Sequence, residues 1–202
     1  MESGGDNGDG IYTIEQPGIG SFEAYCDMST GEGGWTLVLN YLHKGGTNPV
    51  LSPLDNDLPV PSSSTLGDDE SSLDKSWGHG TPQLLDKLDT EELRLFCKTS
   101  NHSRKVHFST KSPEFVDYAT TGSGSASGFT PDKFYEEHNA DFFEGGGPNS
   151  FFSYKGDFAL TNFPFMKKWA QYWAARGLDY RWACDARAGS DAYDTLHRVW
   201  VR

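Results

Sequence analysis

Cysteine is scarce and scattered. Cys26, Cys97 and Cys184 are the three in 202 residues, and they form neither a C-x-x-C pair nor a metal-ligand spacing with histidine, so zinc and thioredoxin-like chemistry have little support. An odd count leaves a thiol without a partner. Two readings stay open: a cytosolic chain with ordinary buried thiols, or an excised secreted domain whose missing half-cystine lies beyond Met1. The opening Met1-Glu2-Ser3-Gly4-Gly5 favours the second. Positive charge is thin too, with 17 Lys and Arg against 29 Asp and Glu, a net charge of -12 and a pI of about 4.8. Binding to phosphate backbones needs Lys and Arg to neutralise them, so no nucleic-acid partner is expected. No apolar run approaches the roughly 20 residues of a membrane helix, and no signal-type segment opens the chain. A soluble domain without membrane insertion is expected, with any export signal outside it. The chain also lacks G-x-S-x-G, H-E-x-x-H and paired Cys-His signatures. No catalytic residue is assigned, and no enzyme is expected.

Rings are what the chain has in quantity: 13 Phe, 9 Tyr and 6 Trp, with 23 Gly and 10 Pro interrupting the apolar runs. Each ring buries a large area, so the expectation is a loop-rich fold packed around aromatics, with sparse regular structure. The length fits one large α+β domain or two small ones. One is expected, because the residues flanking the long polar stretch at 44–76 read as parts of one sheet.

Residues 10–14 and 21–28 carry β-branched and aromatic residues around Pro17-Gly18-Ile19-Gly20 and read as a hairpin. A turn through Gly31, Gly33 and Gly34 feeds 35–42, whose apolar pattern suits a central strand. From 44 to 76, Pro, Ser, Gly, Asn and Asp dominate without periodicity, as in a long surface loop. Thr81-Pro82 then supplies an N-cap and a proline at the first helical position, with Leu84, Leu85 and Leu88 on one face. Residues 93–99, 104–110 and 115–118 alternate as strands of an antiparallel meander. Thr130-Pro131 predicts a helix through about His138, 166–175 reads as helical, and 196–201 as a closing strand.

Gly10-Ile11-Tyr12-Thr13-Ile14, then Ala24-Tyr25-Cys26-Asp27-Met28-Ser29-Thr30, then Gly33-Gly34-Trp35-Thr36-Leu37 together resemble the opening of fibrinogen-related domains, which read G-x-Y-x-I, V-Y-C-D-M-x-T and G-G-G-W-T. His197-Arg198-Val199-Trp200-Val201-Arg202 looks like the strand that ends many of them. The resemblance implies an α+β fold of the fibrinogen C-terminal type, a twisted antiparallel sheet with short helices and long loops. Residues 1–202 would form one such domain: a hairpin subregion at 1–42, a loop insertion at 43–76, and a central sheet with a loop-rich ligand region at 77–202. In that family the C-D-M cysteine pairs with one just upstream of the G-x-Y-x-I run. The resemblance thus implies that the partner of Cys26 was cut away or never existed here, and it leaves Cys97 and Cys184 to pair with each other. The acidic D-x-D calcium loop of fibrinogen-type lectins is missing from its expected region, since Asp55-Asn56-Asp57 sits too early. A second similarity is to the intelectin branch, whose calcium-dependent glycan site lies between an E-H and a G-D-F. Here Glu136-Glu137-His138, Gly145-Gly146-Gly147 and Gly156-Asp157-Phe158 follow that order, without the glutamate expected after the glycines.

Calcium takes six to eight oxygens, and Asp132, Glu137, Asp141, Glu144 and Asp157 fall in one loop-rich stretch from which a site could be built. The competing use of these acids is plain solvation on an acidic surface. Asp185, Asp191 and Asp194 form a second cluster open to the same alternative. Trp169, Tyr172, Trp173, Tyr180 and Trp182 offer stacking faces for sugar rings or, alternatively, core packing. Tyr180 and Trp182 are the candidate ligand contacts, with His138 carried over from the intelectin order. Asn101-His102-Ser103 matches the N-glycosylation pattern in a predicted turn. The expected function is that of a secreted or cell-surface module binding glycans, with calcium as the candidate cofactor. The alternative is an adhesion module that binds protein or matrix.

Overall fold

The computed structural model describes residues 8–68, 75–126, 129–141, 154–167, 171–176, 181–186 and 191–202. Its first elements are a hairpin of β1 (Gly10–Gln16) and β2 (Gly20–Asp27), in register from Gly10↔Cys26 to Gln16↔Gly20. Next comes β3 (Trp35–His43), almost wholly buried. The turn between β2 and β3 requires glycine at position 33: φ is 70°, and a Cβ there would lie 2.5 Å from the Met28 carbonyl oxygen. Trp35 follows directly and is fully buried.

Part of the 44–76 stretch packs back on the sheet. It contributes β4 (Pro53–Leu54), which pairs in parallel with β5 (Gly78–Gly80), while β5 pairs with β3. Helix α1 (Pro82–Leu85) starts at the expected Thr81-Pro82. Strands β6 (Leu93–Thr99) and β7 (His102–Thr110) form the expected antiparallel pair. The rest comprises α2 (Pro113–Thr121), β8 (Lys133–Phe134), a 3-10 turn at Gly156–Phe158, β9 (Asn162–Lys167), β10 (Gln171–Arg176), β11 (Arg181–Ala186) and β12 (Thr195–Val201). The main sheet runs β1-β2-β3-β12-β6-β7-β8, with β4 and β5 attached to β3. The closing strand β12 therefore lies at its centre, antiparallel to both β3 and β6. A second sheet runs β11-β10-β9.

The chain is thus mostly antiparallel sheet with a few short helices, and regular structure is not sparse. Three local expectations also change. Residues 115–118 lie in α2, where buried Phe115, Tyr118 and Ala119 follow helical spacing and Gly122 closes the helix at φ 64°. The segment after Thr130-Pro131 is no helix: it has no buried stripe, and its N–H groups at Asp132 and Tyr135 bond the β7 carbonyls of Ser109 and His107. The 166–175 segment is β9 and β10, paired through Gln171↔Lys167 and Tyr172↔Met166.

The main core is aromatic as expected. Phe115 stacks on Phe129 at 4.2 Å between centroids, and Phe165 meets the edges of Phe108, Phe115 and Phe129. Cys97 of β6 and Cys184 of β11 form a buried disulfide with Cα atoms 5.7 Å apart, joining the two sheets. Cys26 is buried and free.

Candidate functional site

Side chains alternate between the two faces of a strand. On β6, Leu93, Leu95 and Cys97 enter the main core, which leaves Arg94, Phe96 and Lys98 on the opposite face. Leu196, Arg198 and Trp200 of β12 and His107 of β7 join them there. Asp27 and Thr30 close one end, Ser64 of the long loop and Glu137 the rim, around a pocket of about 240 Å³. Trp35, Leu37 and Trp200 form a small apolar cluster of their own beneath this face, with Phe96 packed against it.

Arg94 forms the centre of the floor. Its guanidinium lies 4.0 Å from the Trp200 ring centroid and 4.8 Å from that of Trp35, and its Nη2 donates to Asp27 Oδ2 at 2.6 Å. Burial alone would raise the Asp27 carboxyl, but hydrogen bonds from the Thr30 hydroxyl and N–H, with the Arg94 charge, outweigh it and hold the pKa at about 2. Removing one partner of a buried ion pair strands the other charge, at a cost of about 3–5 kcal/mol. Asp27→Ala is therefore expected to lower the urea unfolding free energy by about that much. Replacing both residues with apolar ones of similar volume should recover most of the loss, because no charge is then left unpaired.

His107 stacks on Tyr135 at 4.3 Å, and its Nδ1 is 3.0 Å from Glu137 Oε1. Burial lowers the His107 pKa to about 4 despite the pull of Glu137, so the ring is neutral at pH 7. Lys98 Nζ donates to the Ser64 carbonyl at 3.1 Å, while Arg198 donates to Asn40 Oδ1 and to the Ser63 carbonyl.

The residues singled out in sequence are dispersed. Asp132 accepts the Lys111 N–H, Glu137 lies at the pocket, Asp141 pairs with Arg104 at 3.3 Å, and the Asp157 carbonyl accepts from His79 Nε2 at 2.6 Å. Glu144, Trp169 and Tyr180 lie outside the described residues. Among those described, no group of three or more His, Cys, Asp or Glu side chains lies together. Asp185 and Asp194 also part company. Asp185 pairs with Arg104 Nε at 2.7 Å, and Asp194 accepts the Gly45 N–H at 2.7 Å.

Trp182 is no exposed stacking platform. It shares a strand face with Cys184, is 2% exposed, and stacks on the His43 ring at 4.4 Å within the core. Trp173 is likewise buried, its indole donating to the Leu160 carbonyl. His138 is half-buried, and its Nδ1 accepts the His107 N–H at 3.0 Å. The pocket residues Arg94, Lys98, His107 and Arg198 were missed, although the sequence carries their signal. Two cations and a ring at 94, 96 and 98 alternate with Leu93, Leu95 and Cys97 inside a predicted strand.

No family model matches this chain, and no curated protein matches it. What the fold and pocket define is an antiparallel-sheet protein with short helices and an inter-sheet disulfide. Among the described residues, no helix is long and apolar enough to cross a membrane.

Proposed function

We propose that the chain is a fibrinogen-related recognition module of the extracellular space, and that it binds a glycan in the pocket over β6, β7 and β12. The observation that carries the reading is the pocket's make-up: a half-buried ring at Phe96 beside Arg94, which covers Trp200, ringed by charged and hydroxyl side chains, in about 240 Å³. Sites for drug-sized ligands run to roughly 300–1,000 Å³, so this volume suits a single sugar residue at the end of a chain. A sugar offers an apolar face to a ring and hydroxyls to donors and acceptors, and both are present here. The Gly33-Gly34-Trp35 turn and the disulfide support the family and the oxidising setting.

A glycan array run in calcium and again in chelator tests this. Retention of a defined glycan set is expected in both, because the pocket supplies its own cations. Phe96→Ala should weaken retention about 2- to 12-fold, the range for one aromatic contact. An array that retains nothing would instead favour the adhesion module, with a protein partner. Retention lost in chelator would restore the calcium-dependent lectin.

A further inference from the structure

The pocket's hydrogen-bonding groups are unbalanced toward donors. Arg94 is buried, and beyond its bond to Asp27 its Nε and Nη1 have no hydrogen-bond partner. The buried Trp200 indole N–H is in the same position. Among the described residues Lys98 has no carboxylate partner, only the Ser64 carbonyl. Burial, then the positive charges of Lys105 and Arg198, lower the Lys98 pKa, so the ammonium sits in a positive potential. Three cations, Arg94, Lys98 and Arg198, line the pocket with two carboxylates, Asp27 and Glu137. A chain of net charge -12 thus holds a local surplus of one positive charge at this pocket.

We infer that the ligand is an acidic sugar, a pyranose bearing one carboxylate that lies against Lys98 beside Arg198. The inference rests on the glycan reading above. A carboxylate accepts from several donors at once, and such charge-assisted bonds are about twice as strong as neutral ones. One negative charge matches the surplus of one. A phosphate monoester, at about -1.5 to -2, would leave excess negative charge beside Asp27 and Glu137. Those two carboxylates are acceptors, suited to the sugar's hydroxyls, while Phe96 meets its apolar face.

Calorimetric titration tests it with four probes: methyl glucuronoside, a methyl sialoside, and the neutral carboxamide of each. At least one acid is expected to bind tenfold or more tightly than its own amide, and which acid does so separates a six-carbon uronic acid from a nine-carbon one. A hydrogen bond to a charged group contributes about 1.5–3 kcal/mol. Lys98→Met should therefore weaken the acid about 10- to 150-fold and the amide much less. Lys98→Arg should restore binding, and an unaltered unfolding midpoint shows that the variants fold. Equal affinity for acid and amide, or an acid indifferent to Lys98→Met, overturns the charge assignment while the glycan reading stands. No binding of any probe, together with an empty array, overturns both.

Discussion

Between pH 6.5 and pH 4 the protein is expected to lose much of its folding stability, because three buried histidines are held neutral. His79, His107 and His197 are 1%, 6% and 0% exposed, and burial lowers each pKa to about 4. The bonding explains why. His79 Nε2 donates to the Asp157 carbonyl. Its Nδ1 accepts from the Tyr41 hydroxyl, which itself accepts the Ser52 N–H. A second ring proton would set two donors face to face. His197 donates from Nε2 to the Ala183 carbonyl, while its Nδ1 is buried without a partner. A lowered folded pKa means the unfolded chain takes up protons first. The stabilisation is complete above the unfolded value near 6.5 and is lost as pH falls toward 4. At about 1.4 kcal/mol per unit, each histidine contributes at most about 3 kcal/mol, so the three together approach the 5–15 kcal/mol of a whole domain. One group works the other way. Burial raises the Asp185 carboxyl, which favours the folded state as pH falls. Urea unfolding in half-unit steps should show a slope nearing 4 kcal/mol per pH unit, the limit for three protons. A flat profile from pH 7 to 4.5 would sink the prediction.

The sequence exposed these features unevenly, and the reason is physical. Elements with strong local signals were legible: the β1–β2 hairpin with its glycine turn, β3, the β6–β7 pair, the Thr81-Pro82 start of α1 and the closing strand. Where local signals compete, tertiary pairing decided. Thr130-Pro131 looks like a helix start, yet the edge of β7 captured the following N–H groups. The 166–175 run has no strand alternation because β10 is buried at 173, 174 and 175 on both faces. The site follows the same rule. Of the acids close together in sequence, Asp141 pairs with Arg104, Asp132 accepts the Lys111 N–H and Glu137 lies at the pocket beside His107. The pocket forms instead from β6, β7 and β12, and β6 and β12 are about a hundred residues apart in the chain. Only sheet order makes them neighbours.

Breaking the Cys97–Cys184 disulfide should cost about 4–5 kcal/mol. Closing a loop restricts the unfolded chain, by about 3 kcal/mol for 15 residues and 4.7 for 100, and these two cysteines are 87 apart. At about 2–4 °C per kcal/mol for a chain of this size, Cys97→Ala with Cys184→Ala is expected to unfold about 10–15 °C lower. Reductant should bring the parent protein down to the same midpoint and leave the double variant unmoved. Cys26 serves as a control, because it is buried and free. The bridge also lies behind the pocket: Cys97 sits between Phe96 and Lys98, whose side chains project from the other face of β6. If the bridge only restrains the unfolded chain, the double variant well below its midpoint should bind the acidic sugar with unchanged affinity. If it also holds β6 in place, affinity should fall while the variant is still folded. An unfolding midpoint within about 3 °C of the parent would mean that packing between the two sheets, not the bridge, secures them.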